Sequence, residues 1–305
     1  MTKRFKIFII ISIIIFCGIL LWEFNIRVAI ADYYFLKTRQ FNNWETSPKN
    51  YQKVFKYFPE DPYYNKKFAI DLLWSVDKFY SSEKSKIKIL DLGIKRMESI
   101  PKYERVFEAT TYLARLYMEK AHLTKNQKDF QLAEKKIKKA ASMAPKMAGV
   151  YNDWCQLKIY QRDWQQAKNK CQKALSLYPD LDSPGLNQEH RQMIEAEMSQ
   201  VYEKLGIIFR EKNKYGVAEQ MYVQILKFFP LQKRYIWKKI ADLYYLQNDL
   251  DQAIKNNLHG SILNPKDPVW AKSLSILYGK KGDKDKSQFW SQKAKKLEQN
   301  QDNKN

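Results

Sequence analysis

The stretch WKKIADLYYLQNDLDQAIKNNLHGSILNP, Trp237 to Pro265, decides the fold. Trp237, Ile240, Ala241 and Tyr244 follow one another at spacings of three and four, which puts them on one face of a helix. Gln247-Asn248-Asp249 breaks that helix, and a second periodic run carries Ala253, Asn257 and Gly260 to a stop at Pro265. Proline ends such a run because it lacks an amide donor and pushes its predecessor out of the helical region. Gly260 costs about 1 kcal/mol relative to Ala inside a helix. The small side chains at 241, 253 and 260 mark where helix axes draw close, so tighter packing offsets that cost.

The same ending recurs at KRMESIP (to Pro101), KAASMAP (to Pro145), KALSLYP (to Pro179), QILKFFP (to Pro230) and HGSILNP (to Pro265), at intervals of 44, 34, 51 and 35 residues. A period near 34 belongs to stacked helix–turn–helix units. One further unit runs Tyr202, Leu205, Gly206, Phe209, then Ala218, Tyr222, Ile225 and Pro230. Another runs Tyr151, Trp154, Cys155, then Ala167, Cys171, Ala174 and Pro179. The turns QNDLDQA (247–253), QRDWQQA (161–167) and KNKYGVA (212–218) match as well.

These residues resemble the tetratricopeptide repeat. The resemblance implies antiparallel helix pairs in which Gly206, Ala241 and Cys155 face Ala218, Ala253 and Ala167. It extends to two flanking units, Leu113, Ala114, Tyr117, Ala133, Ile137 and Ala140 on one side and Leu274, Ser275, Tyr278, Gly282 and Ala294 on the other. The earlier flank carries about seven extra residues at AHLTKNQ (121–127). Before Pro101 the match is weak, although VFKYFPEDPYY (54–64) echoes ILKFFPLQKRY (225–235). The expected fold class is all-α, a right-handed helix–turn–helix solenoid preceded by one N-terminal transmembrane helix. The expected organisation is a basic tip and anchor (1–31), divergent helical repeats (32–101), repeats (102–179), a linker or hinge (180–188), repeats (189–297) and a polar, frayed tail (298–305). PDLDSPGLN (179–187) is a turn-forming cluster, either a hinge or an inserted loop, and a long helix should follow it over about 188–211.

MTKRFK places three positive charges before the charge-free run IFIIISIIIFCGILLW, Ile7 to Trp22. Its 16 residues span about 24 Å as a helix, and residues 5–26 together approach the roughly 30 Å hydrocarbon core. Basic residues ahead of the span hold that end in the cytoplasm, so the chain after Trp22 is expected outside it. Phe16 before Cys17 argues against a lipidation site. Ala29-Ile30-Ala31 offers a cleavage pattern, but it lies beyond Glu23 and Arg27. The adopted reading is an uncleaved, single-pass anchor in the cytoplasmic membrane.

The 305 residues carry 54 Lys and Arg against 33 Asp and Glu, a net charge of +21. That excess suits either an anionic partner or an evenly solvated, Lys-rich surface. His122, His190 and His259 are the only histidines and fall in different helix pairs, and no hydrolase, P-loop, dinucleotide or zinc motif occurs. No catalytic residue, cofactor or metal is therefore expected. Cys155 and Cys171 fall on facing helices of one unit, as a disulfide or as two packed thiols; packed thiols are the adopted reading. The repeat offsets assign most of Trp154, Trp164, Trp237 and Trp270 to the core rather than to a binding stripe.

Binding is the better prospect. In tetratricopeptide proteins the first helix of each pair lines a concave groove. The resemblance transfers those positions to Thr111 and Arg115, to Asn152, Gln156 and Ile159, to Glu203 and Arg210, to Lys238, Asp242 and Tyr245, and to Lys272. The implied role is a non-catalytic scaffold or adaptor for a protein partner, an extended peptide or a subunit of a membrane complex, in cell-envelope assembly or secretion. The alternative is a subunit binding an anionic glycan. The expected exterior location and the lack of a recognition motif weigh against nucleic acid.

Overall fold

Helix N-caps and left-handed turn residues punctuate the chain at every pair in its second half, and they set the architecture. The computed structural model describes residues 3–40, 47–59, 61–100, 107–229 and 235–302, and the described residues are helical throughout apart from turns. Pro101 and Pro230, two of the expected helix stops, lie outside the described residues. The chain divides into two compact units, Met1–Lys146 and Met147–Asn305.

In the first unit α1 (Lys3–Leu21), a π-helical turn (Trp22–Ile26) and α2 (Arg27–Gln40) form one unbroken helix. Its stretch Ile10–Thr38 is long and apolar enough to cross a membrane, and Ile10 to Ile26 leave their large side chains uncovered. Further along, Ala31 and Phe35 are buried against α3 (Ser47–Tyr57) and α4 (Pro62–Phe79). The Phe35 ring lies 6.1 Å from Tyr51, 5.6 Å from Tyr63 and 5.4 Å from Tyr64. Tyr64 donates to Asp32 at 2.6 Å, and the Arg27 guanidinium stacks 4.3 Å over Phe58. The expected boundary at 31/32 thus falls inside a helix whose second half already belongs to the folded unit. After α5 (Glu83–Ser99), helices α6 (Phe107–Thr124) and α7 (Gln127–Met143) close a hairpin. Leu113, Ala114, Ala133, Ile137 and Ala140 are buried there, the positions assigned to the earlier flanking repeat. The echo at 54–64 spans the end of α3 and the start of α4.

The second unit contains four helix pairs: α8 (Ala148–Tyr160) with α9 (Trp164–Leu175), α10 (Gln188–Glu211) with α11 (Tyr215–Phe228), α12 (Tyr235–Leu246) with α13 (Leu250–Leu263), and α14 (Pro268–Lys281) with α15 (Lys284–Asp302). Each pair turns through one left-handed residue, Arg162 (φ 57°), Asn213 (φ 56°), Asn248 (φ 61°) or Gly282 (φ 87°). Where an Asp follows, it caps the next helix: Asp163 accepts from the Gln166 amide, Asp249 from Gln252 and Asp283 from Lys286, at 3.0–3.1 Å. The helix expected over 188–211 is α10. Ala167, Cys171 and Ala174 of α9 share a buried cluster with Val201, Leu205 and Ile208 of α10, across the loop expected as a hinge or insertion. The final helix runs through Asp302, so Glu298 to Asp302 of the expected frayed tail are helical; Ala294 is buried and Glu298 pairs with Lys272.

One expectation is overturned here. Cys155 and Cys171 are joined as a disulfide, with their Cα atoms 5.2 Å apart. Cys155 occupies the small-residue position of its repeat and Cys171 the position that Tyr222 takes in the next pair, and the crossing of α8 and α9 brings the two backbones within disulfide reach.

Glycine sits at the same kind of crossing. A Cβ on Gly260 would stand 2.3 Å from the Trp270 ring, and one on Gly206 would stand 2.3 Å from the Tyr222 ring. Gly260 is therefore the seat of an α14 side chain, and Gly206 the seat of an α11 side chain.

Candidate functional site

A single offset recurs in three successive pairs. Residues sixteen apart, one on each helix, mark the crossing: Cys155 joins Cys171, Tyr222 covers Gly206, and Ala241 and Asn257 line one cavity. The first pair is covalent. In the second, the Tyr222 ring covers Gly206 and packs among Ile236, Ile240 and Leu243 of the following helix. Burial pushes the Tyr222 hydroxyl up to about 12, and its oxygen has no hydrogen-bond partner. In the third, Ala and Asn are both too small to fill that space. A cavity of about 240 Å³ opens there, lined by Lys238, Ala241, Asp242, Tyr245, Asn257, Ser273, Ile276 and Leu277.

The elements explain which side chains reach it. Lys238, Asp242 and Tyr245 lie one helical turn apart on α12, so they form a single row along one wall. Ser273, Ile276 and Leu277 come from α14, and Asn257 from α13 lies between the two. Lys238 pairs with Asp242, and the Lys280 ammonium bonds the Tyr245 hydroxyl and stands 4.4 Å over its ring. Ile276 is 60% exposed at the mouth, while Asn257 is 1% exposed. The Asn257 amide nitrogen donates to the Ala253 carbonyl at 2.8 Å, but its Oδ1 is buried without a partner.

Three of the groove candidates, Lys238, Asp242 and Tyr245, therefore share one cavity. The others are placed differently. Thr111 donates to the Phe107 carbonyl at 3.0 Å, and the Arg115 guanidinium lies 5.6 Å from the Tyr112 ring. Asn152 is buried and accepts from the Lys204 ammonium at 2.5 Å. Gln156 is half-buried on α8, and Ile159 packs against the cluster around the disulfide. Glu203 accepts from Tyr235 at 2.9 Å and pairs with Lys239, Arg210 pairs with its neighbour Glu211, and Lys272 pairs with Glu298. Asn257, Ser273, Ile276 and Leu277 were not among the sequence candidates. The available signal was the alignment of Asn257 with Cys171 and Tyr222, where the departure from a packing residue stands out.

The four tryptophans Trp154, Trp164, Trp237 and Trp270 lie at helix contacts. Trp270 is 3% exposed, Trp164 packs on the disulfide cluster and Trp237 on the cluster around Tyr222, and Trp154 lies under the Lys170 ammonium at 3.6 Å. His259 packs 4.1 Å from the Trp237 ring. Among the described residues, no three His, Cys, Asp or Glu side chains gather as metal ligands would.

No family model matches the chain. No curated protein matches it in sequence. Solved structures do match. BtubC (BKLC) from P. vanneervenii is similar at TM-score 0.54 and 16% identity, over 73% of this chain and 93% of that one. PilF of Pseudomonas aeruginosa matches at TM-score 0.48 and 15% identity, over 76% and 93%. YrrB, described as a TPR protein with an unusual peptide-binding site, matches at TM-score 0.41 and 15% identity, over 60% and 86%. Identities this low speak to the fold alone. The fold class is all-α and tetratricopeptide-like, with one apolar helix at the N-terminal end.

Proposed function

We propose that this chain is a non-catalytic, membrane-anchored scaffold that receives an extended segment of a protein partner in the cleft between α12 and α14. Its setting is the outer side of the cytoplasmic membrane, in cell-envelope assembly or secretion. The observation that carries this reading is the cavity itself. It combines an exposed apolar lip at Ile276, a polar wall of Lys238, Asp242 and Tyr245, and a buried acceptor at Asn257. Mixed apolar and polar walls of this kind suit a peptide with alternating side chains.

Two features support the setting. The disulfide between Cys155 and Cys171 belongs to an oxidising compartment, in line with a basic N-terminal tip held in the cytoplasm. Cleavage after Ala31 would remove a residue that the folded first unit buries, and retention of the helix keeps that contact. Of the groove cations, Lys238, Lys272 and Arg210 are each matched by a carboxylate, Asp242, Glu298 and Glu211, so a polyanion would have to draw on the net +21 charge elsewhere on the chain.

The test is a binding measurement on the full chain in lipid nanodiscs against an extended-peptide library. Lys238→Glu with Ile276→Asp should abolish peptide retention, and retention in wild type should persist at high salt. Undiminished binding by the double variant, or binding that vanishes with modest salt, would dispose of the reading.

A further inference from the structure

The cavity at Asn257 sits where the preceding pair holds a tyrosine ring. Tyr222 and Asn257 occupy the same position of their repeats, sixteen residues after Gly206 and Ala241 respectively. Tyr222 is fully buried over Gly206, against Ile240 and Leu243. Leu274 and Leu277 take the places of those two residues in the next helix and are buried as well. Of these two counterparts Leu277 lines the cavity at Asn257, and the ring that would pack on it is missing from the chain's own sequence.

We propose that this cavity is a socket for one aromatic side chain bearing a neutral hydrogen-bond donor, a tyrosine or a tryptophan, presented by the partner segment. The inference rests on the peptide-binding reading above and names what that peptide must carry. Three observations select the occupant. At about 240 Å³ the cavity lies below the roughly 300–1,000 Å³ of sites that take whole small molecules, so it suits a single side chain. Ala241, Leu277 and Ile276 give apolar contact for a ring. The unpartnered Oδ1 of Asn257 is a buried acceptor, a group costly to leave unmatched, and it calls for a donor. Buried tyrosine and tryptophan anchors in pockets also dominate binding energy where interfaces have been dissected.

The test uses the full chain in nanodiscs, labelled at isoleucine methyls, with N-acetyl-tyrosinamide and N-acetyl-phenylalaninamide as probes. The tyrosine compound should shift the Ile276 methyl and bind about threefold to tenfold more tightly, the worth of one neutral hydrogen bond. Asn257→Leu should erase that preference while keeping ring binding. Asn257→Phe should fill the socket and abolish both, as Tyr222 does one repeat earlier. Equal affinity for the two probes, or no shift at Ile276, overturns the socket. If library peptides still bind and are lost in the Lys238→Glu, Ile276→Asp variant but not in Asn257→Phe, the socket fails and the groove reading survives. If no peptide binds in wild type, both fall.

Discussion

Substituting Gly260 by Ala sets two known effects against each other. Within an exposed helix the change should stabilise by about 1 kcal/mol. At this crossing the new methyl would stand 2.3 Å from Cη2 and Cζ3 of Trp270 and 2.7 Å from Cε3. An ordinary contact needs about 3.5–4.0 Å, so a large, buried ring must retreat by more than 1 Å. Overpacking of a close-packed core costs about 1–3 kcal/mol, and a rigid indole caught on three atoms belongs at the upper end. Subtracting the propensity gain leaves a net loss of about 2 kcal/mol. For a unit of this size that lowers Tm by about 4–8 °C. Gly216 is the internal control, since a Cβ there meets nothing within 4 Å; Gly216→Ala should leave Tm unchanged or raise it. Thermal unfolding followed by circular dichroism on both variants reads the difference in sign. A Gly260→Ala protein as stable as wild type would refute the claim that α13 and α14 cross at this residue.

Three further outcomes follow from the same geometry. Replacing Cys155 and Cys171 by Ala opens a loop closed over a sequence separation of 16, and should cost about 3 kcal/mol, read as a Tm drop that dithiothreitol reproduces in wild type. Arg162→Gly relieves a left-handed backbone at φ 57° and should stabilise by up to about 1 kcal/mol, measured by urea unfolding. Tyr222 stays protonated up to about pH 12 when folded against about 10 when unfolded. Its contribution is therefore complete below pH 10 and disappears as pH climbs from 10 to 12, and Tyr222→Phe should lessen the fall of stability over that range, to which half-buried tyrosines such as Tyr244 also contribute.

The helix pairs were legible because their code is local. Proline stops, small residues at crossings and Asp after a left-handed turn residue each act through the backbone nearby, so α8 through α15 could be placed from spacing. The disulfide was harder to read. Cysteine fits a small-residue position equally well as a packed thiol, and only the approach of two helix axes decides between them. The site was half legible. Lys238, Asp242 and Tyr245 follow from the periodicity of one helix, whereas Ile276 and Asn257 join them through packing between helices. A cavity is a missing volume, and it shows in sequence only as the polar Asn257 where the preceding repeat carries the large Tyr222. In the first unit the aromatic core around Phe35 replaces the repeat's usual spacing, which is why the match before Pro101 is weak.

The most direct test of the account places a photo-crosslinking amino acid at Ile276, at the mouth of the cleft, and at Met193, an exposed position on α10 outside it. Illumination in native membranes, followed by peptide mass spectrometry, should give one discrete polypeptide adduct from position 276, joined beside a tyrosine or tryptophan. That adduct should vanish on adding Asn257→Phe and be missing from position 193. Identical adducts from both positions, or an adduct at 276 that survives Asn257→Phe, would contradict it.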